Sequence, residues 1–166
     1  MFKNPLAVIA VGVLLAVVAN IYLFSTGEEL TQVVTQTLFA DTIIVLTLVP
    51  VVESIRMREE KHNLPIQTRV RSGMKTVALY AFVIAICTFV LFKLFGEPLI
   101  AEKLNLLSAL IDDEIAKGNF TEQQKAEQLE AANRFYSPSL QVMIVIMANL
   151  IVGFISSILA AVLVKK

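Results

Sequence analysis

The stretch TVALYAFVIAICTFVLFKLF, residues 76–95, decides the fold class of this chain because Lys93 is its only charged residue. A helix needs about 20 apolar residues to cross the hydrocarbon core of a bilayer. Three other stretches are also apolar, the second span being the weakest of the four. The sequence therefore predicts an all-α, polytopic membrane protein with four transmembrane helices. The predicted spans cover about 5–25, 38–56, 75–96 and 139–164.

The overall composition agrees with the membrane class. Hydrophobic residues make up 57% of the 166 residues and charged residues only 17%, whereas soluble domains are about 45–50% apolar and 25% charged. The formal net charge is zero, so the chain has no bulk attraction to nucleic acid. We expect a single membrane domain over residues 1–166, with the lipid bilayer as its partner and no nucleic acid.

The charged residues are sorted by sign along the chain. With four spans, both termini and the loop at 56–75 share one side, and this side holds nine basic and three acidic residues. The other side holds five basic and eleven acidic residues. Lys and Arg near span ends are retained in the cytoplasm. We therefore expect a multi-pass membrane protein with both termini cytoplasmic.

Small or polar residues recur at every fourth position in the first and the last span. Residues four apart share one face of a helix, and small residues let helix backbones approach closely in lipid. We expect the two spans to pack against each other, or against copies of themselves, through these stripes. The predicted helix-packing residues are Gly12, Ala16 and Asn20 in the first span and Asn149, Gly153, Ser157 and Ala161 in the last.

Two acidic residues, Asp41 and Glu53, lie in the second span. Carboxylates within a membrane are candidates for ion or proton pathways. Both residues also have a purely structural interpretation. Glu53 is spaced to pair with Arg56 on the same helix face, and Asp41 is placed to cap the start of a helix. The sequence leaves both interpretations open.

The segment 97–137, between the third and fourth spans, is the largest polar part of the chain. Apolar residues recur at helical spacing over about 98–117, and Gly118 is suited to end this helix. Thr121 and Gln124 match the capping box that starts a second helix. We therefore predict an extracytoplasmic helical hairpin, whose first helix has an apolar face that its own spans, the membrane surface or another protein must cover.

No arrangement of residues in the sequence points to catalysis or to a cofactor. The one histidine, His62, lacks the second His or Cys that metal sites usually contain, and the one cysteine, Cys87, allows no disulfide within the chain. The sequence contains no glycine-rich phosphate loop, and no Ser-His-Asp group can be assembled on one side of the membrane. We expect a protein that is not an enzyme and that binds no metal or cofactor.

The C-terminal part contains the stretches GNFTEQQ (118–124), FYSP (135–138) and GFISSI (153–158), and the chain ends in Lys165-Lys166. In these stretches it resembles the domain of unknown function 4199 family of small bacterial membrane proteins. The resemblance implies four spans with a soluble helical insertion before the last one, and a location in the bacterial inner membrane. It implies no activity and transfers no catalytic residue to this chain.

Two classes of function agree with these features. The first is an accessory or scaffold subunit of a larger membrane complex, or a homo-oligomer, which would use the stripes and the apolar face of the hairpin. The second is a small transporter or channel component that uses Asp41 and Glu53, with Asn20 and Asn149, and needs an oligomer to form a pathway. We expect the first class because the spans contain few polar residues.

Overall fold

Helices account for nearly all of the computed structural model, which describes residues 5–26, 29–59 and 64–163. No strand occurs in these ranges. Four helical stretches are long and apolar enough to cross a membrane, which confirms the predicted all-α membrane class. The elements are α1 (Pro5–Ser25), α2 (Leu30–Glu59), α3 (Ile66–Leu91), a π-helical segment (Phe92–Gly96), α4 (Glu97–Ala116), α5 (Glu122–Phe135) and α6 (Pro138–Leu163).

The bundle consists of α1, α2, α3 and α6, which run alternately in opposite directions. The most extensive packing joins α3 to α6, and α2 also packs on α1, α3 and α6. We call the end with Ser25 and Leu91 the hairpin end and the end with Pro5 and Leu163 the termini end. A continuous apolar core, with Val45, Val77 and other buried residues of all four helices, fills the bundle between these ends.

The helix that begins with α3 is much longer than the predicted third span. It continues through the π-helical segment into α4, so that one helical stretch runs over Ile66–Ala116, 51 residues in all. At 1.5 Å per residue it is about 76 Å long, more than twice the thickness of a hydrocarbon core. The π-helical segment lies just before Pro98, whose ring conflicts with the carbonyl four residues earlier in a regular helix.

The segment at 56–75 is largely helical: the second span extends into it as a helix, as the sequence predicts, whereas the early start of α3 was not predicted. α2 continues to Glu59, and α3 begins at Ile66 directly after Pro65. The physical reason is that Arg and Lys are good helix formers, so their charges mark the edge of the membrane and not the end of a helix. His62, which the sequence indicated is not a metal ligand, lies outside the described residues.

The predicted helical hairpin is present as α4 and α5, which pack against each other. Gly118 has a φ of +80°, the left-handed conformation that ends α4. The side chain of Thr121 accepts from the backbone N–H of Gln124, and the Gln124 side chain accepts from the Thr121 backbone N–H, which confirms the capping box. Lys125 of α5 forms an ion pair with Asp112 of α4.

Thr121→Ala is expected to loosen the start of α5 and leave the bundle intact. Removal of an N-cap side chain costs about 1 kcal/mol, which is roughly a fivefold increase in the population of the locally open state. Hydrogen exchange of the first α5 amides should therefore accelerate about fivefold. Ser108→Ala, within α4, is the control, and unchanged exchange in the Thr121 variant would contradict the prediction.

Candidate functional site

The two stripes of small residues lie inside the bundle, but they do not face each other. An ideal Cβ on Gly12 would lie 2.6 Å from Leu48 of α2, and one on Gly153 would lie 2.2 Å from Val77 of α3. The predicted packing of the first span against the last is therefore wrong, because α2 and α3 lie between α1 and α6. All seven stripe residues are buried: Gly12, Ala16, Asn20, Asn149, Gly153, Ser157 and Ala161.

Glu53 is buried and pairs with Arg69 of α3, with 2.7 Å between Oε1 and Nε. Arg69 also donates from Nη2 to the carbonyl of Ala160 on α6, at 3.1 Å. The sequence-based pairing of Glu53 with Arg56 is therefore wrong, since Arg56 donates to the hydroxyl of Ser72. Through these two contacts of Arg69, the pair joins α2, α3 and α6. Because Arg69 balances its charge, Glu53 is not a free carboxylate.

Asp41 lies deep inside α2 and is only 1% exposed. It is 11 residues, or about 16 Å, from the start of this helix at Leu30, so the interpretation of Asp41 as a helix cap is wrong. Its Oδ1 accepts a hydrogen bond from the hydroxyl of Tyr80 at 3.4 Å, and the side-chain amide of Asn149 lies beside the same carboxyl. Its Oδ2 has no hydrogen-bond partner.

Other buried polar atoms without a hydrogen-bond partner belong to residues at about the same level as Asp41 along the bundle axis. They include both amide atoms of Asn20, the hydroxyl of Thr37 and Oδ1 of Asn149. Thr37 is one turn from Asp41 on the same face of α2. Gly12 faces Leu48, so the antiparallel register brings Asn20 opposite residue 40.

We define the polar cluster as Asn20, Thr37, Asp41, Tyr80 and Asn149. Buried polar side chains normally have hydrogen-bond partners, and orphaned groups are costly in a medium of low dielectric constant. Their concentration on the four helices of the bundle therefore marks this cluster as the candidate functional site.

Apolar layers border the polar cluster on both sides along the bundle axis. Toward the termini end, Val45, Val49 and Val52 of α2 are almost completely buried. Toward the hairpin end, a second core forms around Phe24 and Phe92, whose rings meet edge to face with centroids 5.1 Å apart. Phe92 begins the π-helical segment, a distortion that often occurs at functional sites.

The donor atoms of the polar cluster limit its chemistry. They are one carboxylate, two amide groups and two hydroxyl groups, and such oxygen donors suit protons and hard cations. In the ranges that the structure describes, no three His, Cys, Asp or Glu side chains converge on one point.

The sequence pointed to three members of the cluster and missed the other two. Asp41 was recognised as a charge in an apolar stretch, and Asn20 and Asn149 as polar residues within spans. Tyr80 and Thr37 were missed because both residue types are ordinary in membrane helices. The signal that could have found Thr37 is its spacing of one helical turn from Asp41.

Comparison with known families gives a match over almost the whole chain. The family model described as "Protein of unknown function (DUF4199)" matches residues 6–166. Comparison with curated proteins and with solved structures gave no match. The match extends the resemblance seen in the C-terminal part to the first three spans. A helical bundle with four apolar, membrane-length helices and a match of this extent show that the chain belongs to the DUF4199 family, whose function is unknown.

Proposed function

We propose that this protein is a non-catalytic component of a membrane transporter or channel, in which the polar cluster takes part in the movement of a small cation. The observation that supports this proposal is the half-partnered, buried carboxyl of Asp41 among other orphaned polar atoms. Ionisable residues inside membranes are costly and mark ion or proton pathways. Glu53 is not part of this pathway, because Arg69 already balances its charge.

This choice reverses the preference drawn from the sequence. The sequence favoured a scaffold subunit because the spans contain few polar residues. In the bundle, Asp41, Tyr80 and Asn149 meet from three different helices. A scaffold needs packing surfaces and gains nothing from a buried carboxyl with one unpartnered oxygen, which destabilises the folded chain.

The proposed orientation places both termini in the cytoplasm and the hairpin on the outer side of a bacterial inner membrane. The sorting of basic and acidic residues supports it. A single cysteine placed at Asn119, in a chain with Cys87→Ser, should react with a membrane-impermeant maleimide added to intact spheroplasts. Labelling only after the membrane is permeabilised would contradict this orientation.

Asp41→Asn is expected to abolish cation-dependent flux in proteoliposomes that contain the purified protein. The substitution removes the charge and keeps the side-chain shape, so that the fold should survive. The measurement is the uptake of Na⁺, K⁺ or protons driven by an imposed gradient, with an expected decrease of at least about tenfold, equivalent to about 1.4 kcal/mol. Asp113→Asn is the matched control, because Asp113 is exposed on α4.

Two results would contradict this function. The first is the absence of flux above that of empty liposomes for the wild-type protein, both alone and with proteins that co-purify with it. The second is equal flux for the wild-type protein and the Asp41 variant.

An accessory subunit of a larger membrane complex, or a homo-oligomer, is the second candidate, and the hairpin is the observation that favours it. Leu106 and Leu110 on α4 are 50% and 65% exposed, and this helix extends beyond the end of the bundle. Purification in mild detergent should retain another membrane subunit, or a second copy, that the Leu106→Gln/Leu110→Gln variant loses. A wild-type protein that purifies as a monomer would contradict this candidate.

A further inference from the structure

We infer that the polar cluster is a binding site for one dehydrated monovalent metal cation, with sodium as the probe. This inference rests on the proposed function and specifies the ligand of the same site. Three independent features of the described residues carry it: the charge balance of the bundle interior, the kind of donor atoms in the cluster, and the apolar layers on both sides of it.

The buried charges of the bundle leave one negative charge unbalanced. Among the described residues, the buried acidic and basic side chains of the bundle are Asp41, Glu53 and Arg69. Glu53 and Arg69 form an ion pair, so that the charge of Asp41 remains. A monovalent cation neutralises it, whereas a divalent cation would leave one positive charge in a medium of low dielectric constant.

The oxygen atoms of the polar cluster that lack a hydrogen-bond donor favour a metal ion over a proton as the ligand. Nδ2 of Asn149 donates to the carbonyl of Val145 at 2.9 Å, which leaves Oδ1 as an acceptor without a partner. Oδ2 of Asp41 and Oδ1 of Asn20 are acceptors of the same kind. A proton on Asp41 supplies one donor to these oxygens, whereas one metal ion coordinates several oxygens at once.

The apolar layers favour a dehydrated ion over a hydrated one. Val45 and Val49 are almost completely buried between the cluster and the termini end, and Phe24 and Phe92 close the hairpin end. A cation in this position loses contact with bulk water, so that side-chain oxygens must replace its hydration shell. The carboxylate, amide and hydroxyl oxygens of the cluster are ligands of the required kind.

The test is the thermal unfolding of the purified protein in detergent at fixed pH, with NaCl replaced stepwise by choline chloride at constant ionic strength. A ligand that binds only the folded state stabilises it in proportion to the logarithm of its concentration. At a sodium concentration about 100-fold above its Kd, the expected rise in Tm is about 5–10 °C. KCl and LiCl series establish which monovalent cation binds best.

Site variants separate a specific site from a general effect of salt. Asp41→Asn should abolish the Na⁺-dependent rise in Tm, and Thr37→Val, which removes one oxygen and keeps the shape, should weaken the apparent affinity about tenfold. Thr76→Val is the matched control, because Thr76 is a buried threonine whose hydroxyl already donates to the carbonyl of Ser72. This control should respond to Na⁺ like the wild type.

Several outcomes would overturn the inference. One is the same Tm in every metal salt and in choline chloride, and another is a Na⁺ response that Asp41→Asn retains. A Tm that rises on acidification in choline chloride, without any effect of metal cations, would assign a proton to the site instead. Flux that depends on Asp41 without Na⁺-dependent stabilisation defeats only this inference, whereas Na⁺-dependent stabilisation without flux defeats only the proposed function.

Discussion

Glu53→Leu is expected to destabilise the bundle by about 3–5 kcal/mol, because it removes the carboxylate that pairs with the buried guanidinium of Arg69. Glu53 and Arg69 are 4% and 8% exposed, so water cannot replace the lost carboxylate. The carbonyl of Ala160 accepts from Arg69, but a neutral acceptor does not replace the charge of the lost carboxylate. The measurement is the free energy of unfolding in mixed micelles, from titration with a denaturing detergent.

The double variant Glu53→Leu/Arg69→Met should recover most of the free energy of unfolding that Glu53→Leu loses. An apolar pair of similar volume removes both buried charges, and such replacements are often neutral or stabilising. Glu97→Gln is the matched control, because Glu97 pairs with Lys93 on the exposed surface, and such pairs contribute about 0–1 kcal/mol. A double variant as unstable as Glu53→Leu would show that the pair does not act through its charges.

Gly153→Val is expected to separate α3 from α6 where they pack closely and to cost about 3 kcal/mol, at the upper end of the usual range for an overpacked core. Even the first added carbon would lie 2.2 Å from Cγ1 of Val77. That neighbour is a β-branched side chain with one preferred rotamer in a helix, so the helix backbones must move apart. The same unfolding titration measures the effect.

Two further variants test this explanation. Gly153→Ala/Val77→Ala should be more stable than Gly153→Ala alone, because the smaller side chain at 77 makes room for the added methyl group. Ala10→Val, on an exposed position of α1, adds volume toward lipid and should have little effect. Equal destabilisation by Gly153→Val and Ala10→Val would contradict a role for close packing at Gly153.

Local features of the fold could be predicted from the sequence because each depends on neighbouring residues only. Hydrophobicity summed over about 20 residues identified the four long apolar helices. The capping box at Thr121 and the left-handed position at Gly118 were predicted correctly for the same reason, since the atoms involved lie within a few residues of each other. The lengths of the helices were predicted less well. Charged residues mark where a helix leaves the membrane, but the helix itself continues beyond them.

Partners across helices could not be predicted, because they depend on the rotation and the register of each helix. The spacing in the sequence favoured Glu53 with Arg56, but the bundle brings Arg69 to Glu53 from another helix. The stripe of Gly12 and that of Gly153 looked complementary, yet each fits a different neighbour.

The sequence alone determined that this protein resides in a membrane as four apolar helices, because the transfer of apolar side chains into lipid depends on composition and length. Only the tertiary structure decided that Asp41, Tyr80 and Asn149 meet inside the bundle while Glu53 is neutralised. The reason is that the environment of a charge is set by all the helices around it, and close packing of small residues brings those helices together.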